Sequence, residues 1–202
     1  MNGYLDTAGI ERLGLKSVGE NVLISEKACI YMPEKISIGS NVRIDDFCIL
    51  VGDITLGNYI HISPFASIHG TGGGSVTMKD FTGLGSYATI YAGSDDFNGG
   101  TLTNPTVPKE YCKIISGNVV MEKHCLVGIK SVLLPKAYMY EGSVLGAMSL
   151  LNKKAKPWSV YFGSPARRID ERNRKTLEYE ELFLKSKISN MGVKIENSNF
   201  TT

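Results

Sequence analysis

The side chains best suited to acid–base chemistry in this chain are its three histidines, His61, His69 and His124. An unperturbed imidazole has a pKa of about 6.5, so it can take a proton from a hydroxyl or an amine near neutral pH. A carboxylate beside such a histidine fixes its tautomer and stabilises its protonated form. The four cysteines show no CxxC spacing and no nucleophile motif, so no intermediate on sulfur is expected.

These histidines are set in a repeat of large aliphatic side chains with a period of six residues. Small residues such as Cys48 and Cys125 recur four positions later, and glycine recurs one position later at Gly85 and Gly128. This pattern is typical of a triangular coil whose sides are short strands, whereas the strands of a β-sandwich alternate every two residues. The aliphatic positions are Ile24, Ile30, Ile38, Ile44, Leu50, Leu56, Ile62, Ile68, Met78, Leu84, Ile90, Met121, Val127, Leu133, Met139, Leu145 and Leu151.

Breaks in the repeat are the places where function can be added to a regular scaffold. The first break contains Pro33 and is interpreted as a bulge of the coil. The second contains Gly70–Gly74, which lacks the lysine and following helix of a P-loop and is interpreted as a corner loop. The third is the long stretch 95–119, rich in Gly, Asn, Thr and Pro, and loops of that length in compact domains are usually functional.

The last part of the chain changes its period. Residues 169–188 contain no Gly or Pro and predict an amphipathic helix, with Asn190 and Gly192 as its stop. The predicted organisation is therefore an N-terminal segment 1–17, a coil domain 18–169 and a C-terminal helix and tail 170–202.

Composition and charge exclude several classes of protein. Apolar residues make up 43% and charged residues 21% of the 202 residues, and the net charge of +2 gives no strong field for nucleic acid. No apolar run approaches the roughly 18 to 20 residues that span a bilayer. No signal peptide is visible, so a cytoplasmic protein with reduced cysteines is expected.

Three stretches resemble signatures of one enzyme family. Gly146–Lys153 (GAMSLLNK), Gly163–Arg167 (GSPAR) and the repeat around Val120–Gly128 are similar to motifs of the hexapeptide-repeat acyltransferases. The resemblance covers about residues 18–170 and implies a left-handed parallel β-helix, an all-β fold with a loop insertion and a C-terminal α-helix. The chain resembles the sugar-acetylating branch near galactoside, maltose and nodulation acetyltransferases. The closer likeness, through Asp95–Phe97 and Leu102–Pro108, is to members found in surface-polysaccharide (O-antigen) synthesis.

The resemblance implies an acetyl-CoA-dependent O-acetyltransferase that transfers acetyl directly to a sugar hydroxyl, without a metal. It also implies a homotrimer with active sites between subunits. The alternative within enzymes is N-acetylation of an amino sugar, possibly nucleotide-linked, and the acceptor is accordingly a sugar or a nucleotide-sugar. A zinc enzyme similar to γ-class carbonic anhydrase is disfavoured because the histidines lack its close pair, and a catalytically silent binding protein stays open.

The family pattern also assigns residues to the coenzyme. Its members hold pantetheine near a Gly-Ala pair and meet the phosphates with basic residues, and Ala147 leaves room for such a chain. Lysine and arginine neutralise phosphate charge, and arginine does so with two hydrogen bonds. The matching positions are Gly128, Ala147, Asn152, Lys153 and Arg167.

At the catalytic position the sequence departs from the pattern. Galactoside-type enzymes carry a histidine just before the long loop, where this chain has Asp95. His61 is therefore the expected base, with Asp95 either orienting it or binding the sugar, and His69 is the alternative base. Ser63 and Asn104 are the expected substrate-binding residues, and His124 is expected to face solvent.

Overall fold

The computed structural model describes residues 3–198, with side chains described as far as residue 187. Short strands follow one another at nearly regular intervals, as the six-residue repeat predicts. In chain order they are β1 Ser17–Val18, β2 Leu23–Ile24, β3 Cys29–Tyr31, β4 Ile36–Ile38, β5 Val42–Ile44, β6 Ile49–Gly52, β7 Ile54–Leu56, β8 Ile60–Ile62, β9 Ser67–Gly70, β10 Val76–Met78, β11 Gly83–Leu84, β12 Thr89–Tyr91, β13 Gly93–Asp95, β14 Ile114–Ser116, β15 Val119–Met121, β16 Leu126–Val127, β17 Val132–Leu133, β18 Tyr138–Met139, β19 Val144–Leu145, β20 Leu150–Leu151, β21 Lys154–Ala155, β22 Ser159–Phe162 and β23 Arg167–Glu171.

Successive strands go to three parallel sheets, which form the sides of a triangular prism. The first sheet has seven strands in the order β1-β4-β7-β10-β15-β18-β21. The second has the order β2-β5-β8-β11-β16-β19-β22 and is extended by β23. The third has the order β3-β6-β9-β12-β17-β20. Seven coils stacked in this way match the left-handed parallel β-helix, so the predicted fold is confirmed.

The repeat residues build the core. Every aliphatic residue of the repeat is at most 3% exposed except Ile30, which is partly buried. The small residues four positions later are also mostly buried, and the thiols of Cys48 and Cys125 point at backbone carbonyls. Large side chains therefore fill the prism and small ones let the chain turn its corners.

The corner between the first and second sheets explains one wrong prediction. On each coil, one residue of this corner adopts a left-handed backbone conformation. Where these residues carry aromatic rings on successive coils, the rings stack on one another. His124 has a φ of 63° and stacks on Phe81 at 5.3 Å between ring centroids, with Trp158 at 6.1 Å on its other side. The prediction that His124 faces solvent is wrong, because this stacking leaves it only 5% exposed.

The breaks in the repeat are folded excursions from the coil. A 3-10 helix, Pro33–Lys35, fills the first break. In the long break 95–119, β13 pairs antiparallel with β14, and a second 3-10 helix covers Lys109–Tyr111. The two ends of this loop therefore lie side by side, just after β12 of the third sheet.

The two ends of the chain differ from each other in structure. Helix α1 spans Thr7–Arg12 and is capped by Asp6, whose carboxylate accepts a hydrogen bond from the Gly9 amide at 2.7 Å. Helix α2 spans Thr176–Ser198 and belongs to a separate compact unit, Asn173–Thr202. Within residues 3–198 no helix is long and apolar enough to cross a membrane.

The helix boundaries correct the sequence prediction at both ends. The residues predicted to start the helix form β23, which pairs antiparallel with β22. The predicted stop is also wrong, since the helix continues through Asn190 and Gly192. The last residues of the predicted loose tail, 199–202, lie outside the described residues.

Candidate active site

A groove of about 810 Å³ runs over the outer face of the second sheet. We call it the His61 groove. Strands of five successive coils present their outward residues to it in register, and Ser63 and Gly128 also line it. In coil order the outward residues are Arg43, His61, Gly83, Leu126 and Val144.

His61 is held at this surface by a carboxylate from the preceding coil. Its Nε2 lies 2.7 Å from Asp45 Oδ2, and the Asp45 side chain is 7% exposed while that of His61 is 51% exposed. An ionised carboxylate only accepts hydrogen bonds, so Nε2 carries the proton in this pair. Among the described residues nothing hydrogen-bonds to Nδ1, which is therefore the ring nitrogen open to a substrate.

Two further donors keep Asp45 ionised. Its Oδ1 accepts hydrogen bonds from Tyr4 Oη at 2.9 Å and from Arg43 Nε at 2.6 Å. Burial raises the pKa of Asp45, but the hydrogen bonds from His61, Arg43 and Tyr4 outweigh it and hold the pKa below its ordinary value. The His61–Asp45 pair therefore has the arrangement that general-base catalysis needs.

The structure places Asp95 elsewhere. Asp95 lies in β13 and lines a cavity of about 840 Å³ with Tyr91, Phe97 and Pro105, which we call the Asp95 cavity. Its Oδ2 accepts a hydrogen bond from the backbone amide of Asn104 at 3.3 Å. Within one protomer Asp45, and not Asp95, is the carboxylate beside His61, so the pairing of Asp95 with His61 stays a prediction for a site between subunits.

The predicted substrate-binding residues fall into two groups. Ser63 lines the His61 groove, whereas Asn104 lies beside Asp95. The two cavities share no lining residue, since one lies on the second sheet and the other beside β12 and β17 of the third. One protomer therefore brings His61 close to Ser63, and Asp95 close to Asn104. It does not bring the first pair close to the second.

His69, the alternative base, lies on the third sheet. Its ring stacks on Tyr91, with 4.3 Å between the centroids, and Tyr91 lines the Asp95 cavity. Burial lowers the pKa of His69, so the ring is neutral at neutral pH. A neutral imidazole can accept a proton, so His69, next to the Asp95 cavity, stays the alternative base.

The residues expected to bind the coenzyme lie on the last coils. Gly128 and Ala147 are stacked so closely that a Cβ on Gly128 would lie 2.5 Å from the Ala147 amide nitrogen. Lys153 Nζ lies 6.0 Å over the Tyr161 ring, and Arg167 pairs in register with Phe162. Asn152 is exposed just after β20. The cationic side chains thus sit at the C-terminal end of the coil.

The histidines show no arrangement that suits a zinc ion. His61 lies on the second sheet, His69 on the third, and His124 at the corner between the first and second. Within the part of the chain that the structure describes, no group of three His, Cys, Asp or Glu side chains is close enough to hold a metal.

Known proteins with similar sequences and structures carry acyltransferase activity. No family model matches the chain. A curated Escherichia coli protein, dTDP-4-amino-4,6-dideoxy-D-glucose acyltransferase, is 43% identical over 188 residues, which are 92% of this chain and 97% of that protein. The chain belongs to the hexapeptide-repeat acyltransferase family. Two solved structures are as similar to this acyltransferase in sequence as the Escherichia coli protein is.

One solved relative is AntD, an N-acyltransferase from Bacillus cereus, in complex with dTDP and 3-hydroxybutyryl-CoA. It is 43% identical with a TM-score of 0.89, and the match covers 92% of this acyltransferase and 98% of AntD. A serine-to-alanine variant of AntD, in complex with dTDP-4-amino-4,6-dideoxyglucose and coenzyme A, gives a TM-score of 0.90 at 43% identity, covering 92% and 100%. A hexapeptide transferase family protein from Anaplasma phagocytophilum shares only the fold, with 21% identity and a TM-score of 0.56.

Sequence reasoning missed the residues that hold the His61 ring. Tyr4, Arg43 and Asp45 carry no motif, and Tyr4 reaches Asp45 from outside the repeat. The sequence nevertheless contained a signal for Arg43. Arg43 precedes His61 by three hexads, which make one coil, so the repeat places it beside His61 on the preceding coil.

Proposed function

We propose that this acyltransferase transfers an acyl group from acyl-CoA to the amino group of a nucleotide-linked amino sugar. The observation that carries the proposal is the 43% identity, over nearly the whole chain, to the Escherichia coli acyltransferase of dTDP-4-amino-4,6-dideoxy-D-glucose. The AntD complexes, which contain dTDP and coenzyme A, support it. These comparisons support N-acylation, the alternative, better than the O-acetylation of a sugar hydroxyl first expected.

The reaction joins an amine to a thioester carbonyl. The neutral amine attacks the carbonyl carbon, a C–N bond forms, the C–S bond breaks and the sulfur leaves as the thiolate of coenzyme A. One proton must leave the amine nitrogen, and His61 Nδ1 is positioned to accept it while Asp45 stabilises the resulting imidazolium. That proton then neutralises the thiolate.

The acceptor is assigned to the Asp95 cavity. The Asp95 carboxylate can attract the amino group of a sugar, and Asn104, whose backbone amide donates to that carboxylate, has a side-chain amide that can hydrogen-bond sugar hydroxyls. The apolar wall formed by Tyr91, Phe97 and Pro105 suits a deoxysugar or a base. The product is a nucleotide-activated N-acyl sugar, which suits the role in surface-polysaccharide synthesis expected from the sequence.

The donor is assigned to the last coils next to the His61 groove. Gly128 and Ala147 expose backbone there with little side-chain bulk, which suits a pantetheine arm. Lys153 and Arg167 supply positive charge for the phosphates of coenzyme A, and Asn152 adds a hydrogen bond.

An oligomer with active sites between subunits is required if both cavities serve one reaction, and the homotrimer is the form that the family resemblance implies. His61 and Asp95 line separate cavities of one protomer. A site that uses both residues then takes one from each of two chains. If one chain suffices, His69 is the base, because it stacks on a residue of the Asp95 cavity.

Acceptor choice tests the reaction. We would incubate the enzyme with acetyl-CoA and dTDP-4-amino-4,6-dideoxyglucose, and in parallel with the matched sugar that has a hydroxyl at C4. Thiol release and a product heavier by one acetyl group are expected only with the amine. Equal acetylation of the hydroxyl sugar would restore O-acetylation, and no transfer to either sugar from acetyl-CoA or from butyryl-CoA would overturn the proposal.

Mixed oligomers test the shared site. His61→Ala and Asp95→Ala chains, each inactive alone, would be co-expressed with different tags and the mixed species purified. In each mixed trimer about one site in three should regain both residues if each site spans two chains. Mixed oligomers as inactive as the parents would assign the chemistry to a single chain.

A further inference from the structure

Among the described strand residues that face outwards into the His61 groove, Gly83 is the one without a side chain. It lies in β11, with the buried Leu84 pointing inwards, so Gly83 faces outwards. It is in register with His61 on one coil and with Leu126 on the next. The other coils carry side chains at this register: Leu23, Arg43, Val144 and Val160.

The fold does not require glycine at this position. A Cβ on Gly83 would meet only the His61 carbonyl oxygen and Leu126 Cδ2, both at 3.5 Å, which is ordinary van der Waals contact. By contrast, a Cβ on Gly85 would lie 2.7 Å from the Ile129 amide nitrogen of the next coil. Glycine also weakens a strand. A strand glycine that packing does not require often marks a place where a ligand closely approaches the backbone.

Gly83 also marks a change of polarity along the groove. On one side the outward residues are Arg43 and His61, whereas on the other they are Leu126 and Val144. Leu126 is 41% exposed, so an apolar surface begins next to Gly83. A chain that starts at His61 and crosses Gly83 would therefore move from a polar to an apolar wall, and burial there would be favourable.

We propose that the space over Gly83 receives the acyl group of the thioester donor, so that Gly83 sets the acyl chain length that the enzyme accepts. This inference rests on the proposed function. The thioester carbonyl lies at His61, where the amine attacks, and the acyl chain extends over Gly83 towards Leu126 and Val144. The groove therefore accepts acyl groups longer than acetyl.

The test compares chain-length profiles of the full-length enzyme. Wild type, Gly83→Ala and Gly83→Val would be assayed for kcat/KM with acetyl-CoA and butyryl-CoA at a saturating amino sugar. Gly83→Ala should lower the ratio of kcat/KM for butyryl-CoA to kcat/KM for acetyl-CoA about tenfold or more, since one inserted methyl already overfills a packed site. Gly83→Val should lose more, and Leu126→Ala added to Gly83→Ala should restore butyryl transfer.

A binding experiment tests the same inference without the amino sugar. Calorimetric titration should give the same Kd for free coenzyme A in wild type and Gly83→Ala, and a weaker Kd for butyryl-CoA in the variant. The thermal midpoint of Gly83→Ala should not be lowered, because the fold has room for the methyl.

Four results would overturn the inference. An equal loss with acetyl-CoA and butyryl-CoA would mean that the pantetheine arm or the amino sugar crosses Gly83. An unchanged profile, or a wild type that refuses butyryl-CoA, would mean that no acyl chain lies there. A smaller assembly by light scattering would make Gly83 a subunit contact. The proposed function fails separately, when wild type acylates no amino sugar with any donor.

Discussion

His61 Nε2 lies 2.7 Å from Asp45 Oδ2, and the Asp45 side chain is almost fully buried. The two residues come from adjacent coils, so stacking of the coils sets the direction of the imidazole. Tyr4 and Arg43 donate to the other oxygen of the same carboxylate, which fixes the carboxylate in turn. The ring therefore presents Nδ1 to the groove in one orientation.

Removing the charge of Asp45 should slow catalysis without weakening donor binding. In Asp45→Asn the amide cannot stabilise an imidazolium as the carboxylate does, so we expect kcat to fall about 10- to 100-fold. Steady-state kinetics and calorimetry with acetyl-CoA measure the two effects. Asp46→Asn is the matched control, because Asp46 is the next carboxylate along the chain and pairs with Lys27 at 2.8 Å. An equal loss in both variants would contradict the role of Asp45.

The depressed pKa of Asp45 also predicts how stability depends on pH. Its folded-state pKa lies below the ordinary value of about 3.9, so its ionised form stabilises the fold above that pH. This contribution is lost as the pH falls through the folded-state pKa. Thermal midpoints of wild type and Asp45→Asn should therefore differ at pH 7 and converge below about pH 4. A difference that stays constant at all pH values would refute the linkage.

Replacing each candidate base should separate His61 from His69. We expect His61→Ala to lose about 100-fold or more of transfer while its Kd for acetyl-CoA stays unchanged. His69→Phe removes the titrating ring but keeps an aromatic partner for Tyr91, so it should stay active. Single-turnover acyl transfer measures both. An active His61→Ala beside an inactive His69→Phe would move the base to the third sheet.

Neutralising Asp95 should weaken the acceptor and not the donor. Asp95→Asn keeps the size of the side chain and removes the charge that attracts an amino group, so KM for the amino sugar should rise about tenfold. The Kd for acetyl-CoA should be unchanged. Glu110→Gln, an exposed carboxylate of the same loop, is the control. A weaker Kd for acetyl-CoA in Asp95→Asn would place Asp95 beside the donor instead.

The fold could be predicted because its repeat is local. A large aliphatic residue every six positions and a small one four positions later both follow from a coil with three short sides, and the structure buries them as expected. His124 was mispredicted because the stacking of Phe81 and Trp158 on its ring depends on neighbouring coils. The start of the C-terminal helix was mispredicted because β23 pairs with β22, and helical periodicity does not report such pairing.

The candidate site was predicted only in part, because its contacts join distant residues. His61 was identified from its chemistry, yet its partner Asp45 is fixed by coil stacking and by Tyr4 from the N-terminal segment. Asp95 was identified from its place before the long loop, but sequence position cannot tell which face of the prism it reaches. Family motifs supplied the residues predicted to bind the coenzyme, and only the structure shows that these residues lie on the last coils.

Two glycines on one turn should respond in opposite ways to the same methyl group. In Gly85→Ala the new Cβ would meet the Ile129 amide nitrogen at 2.7 Å, so the next coil must shift and the free energy of unfolding should fall by about 1–3 kcal/mol. In Gly83→Ala the nearest atoms are 3.5 Å away, and losing a strand glycine should leave stability unchanged or raise it by up to about 1 kcal/mol. Denaturant unfolding at one chain concentration measures both, since assembly makes apparent stability depend on concentration. If Gly83→Ala were as destabilising as Gly85→Ala, Gly83 would be a packing residue of the fold or of an interface, and its glycine would say nothing about a ligand.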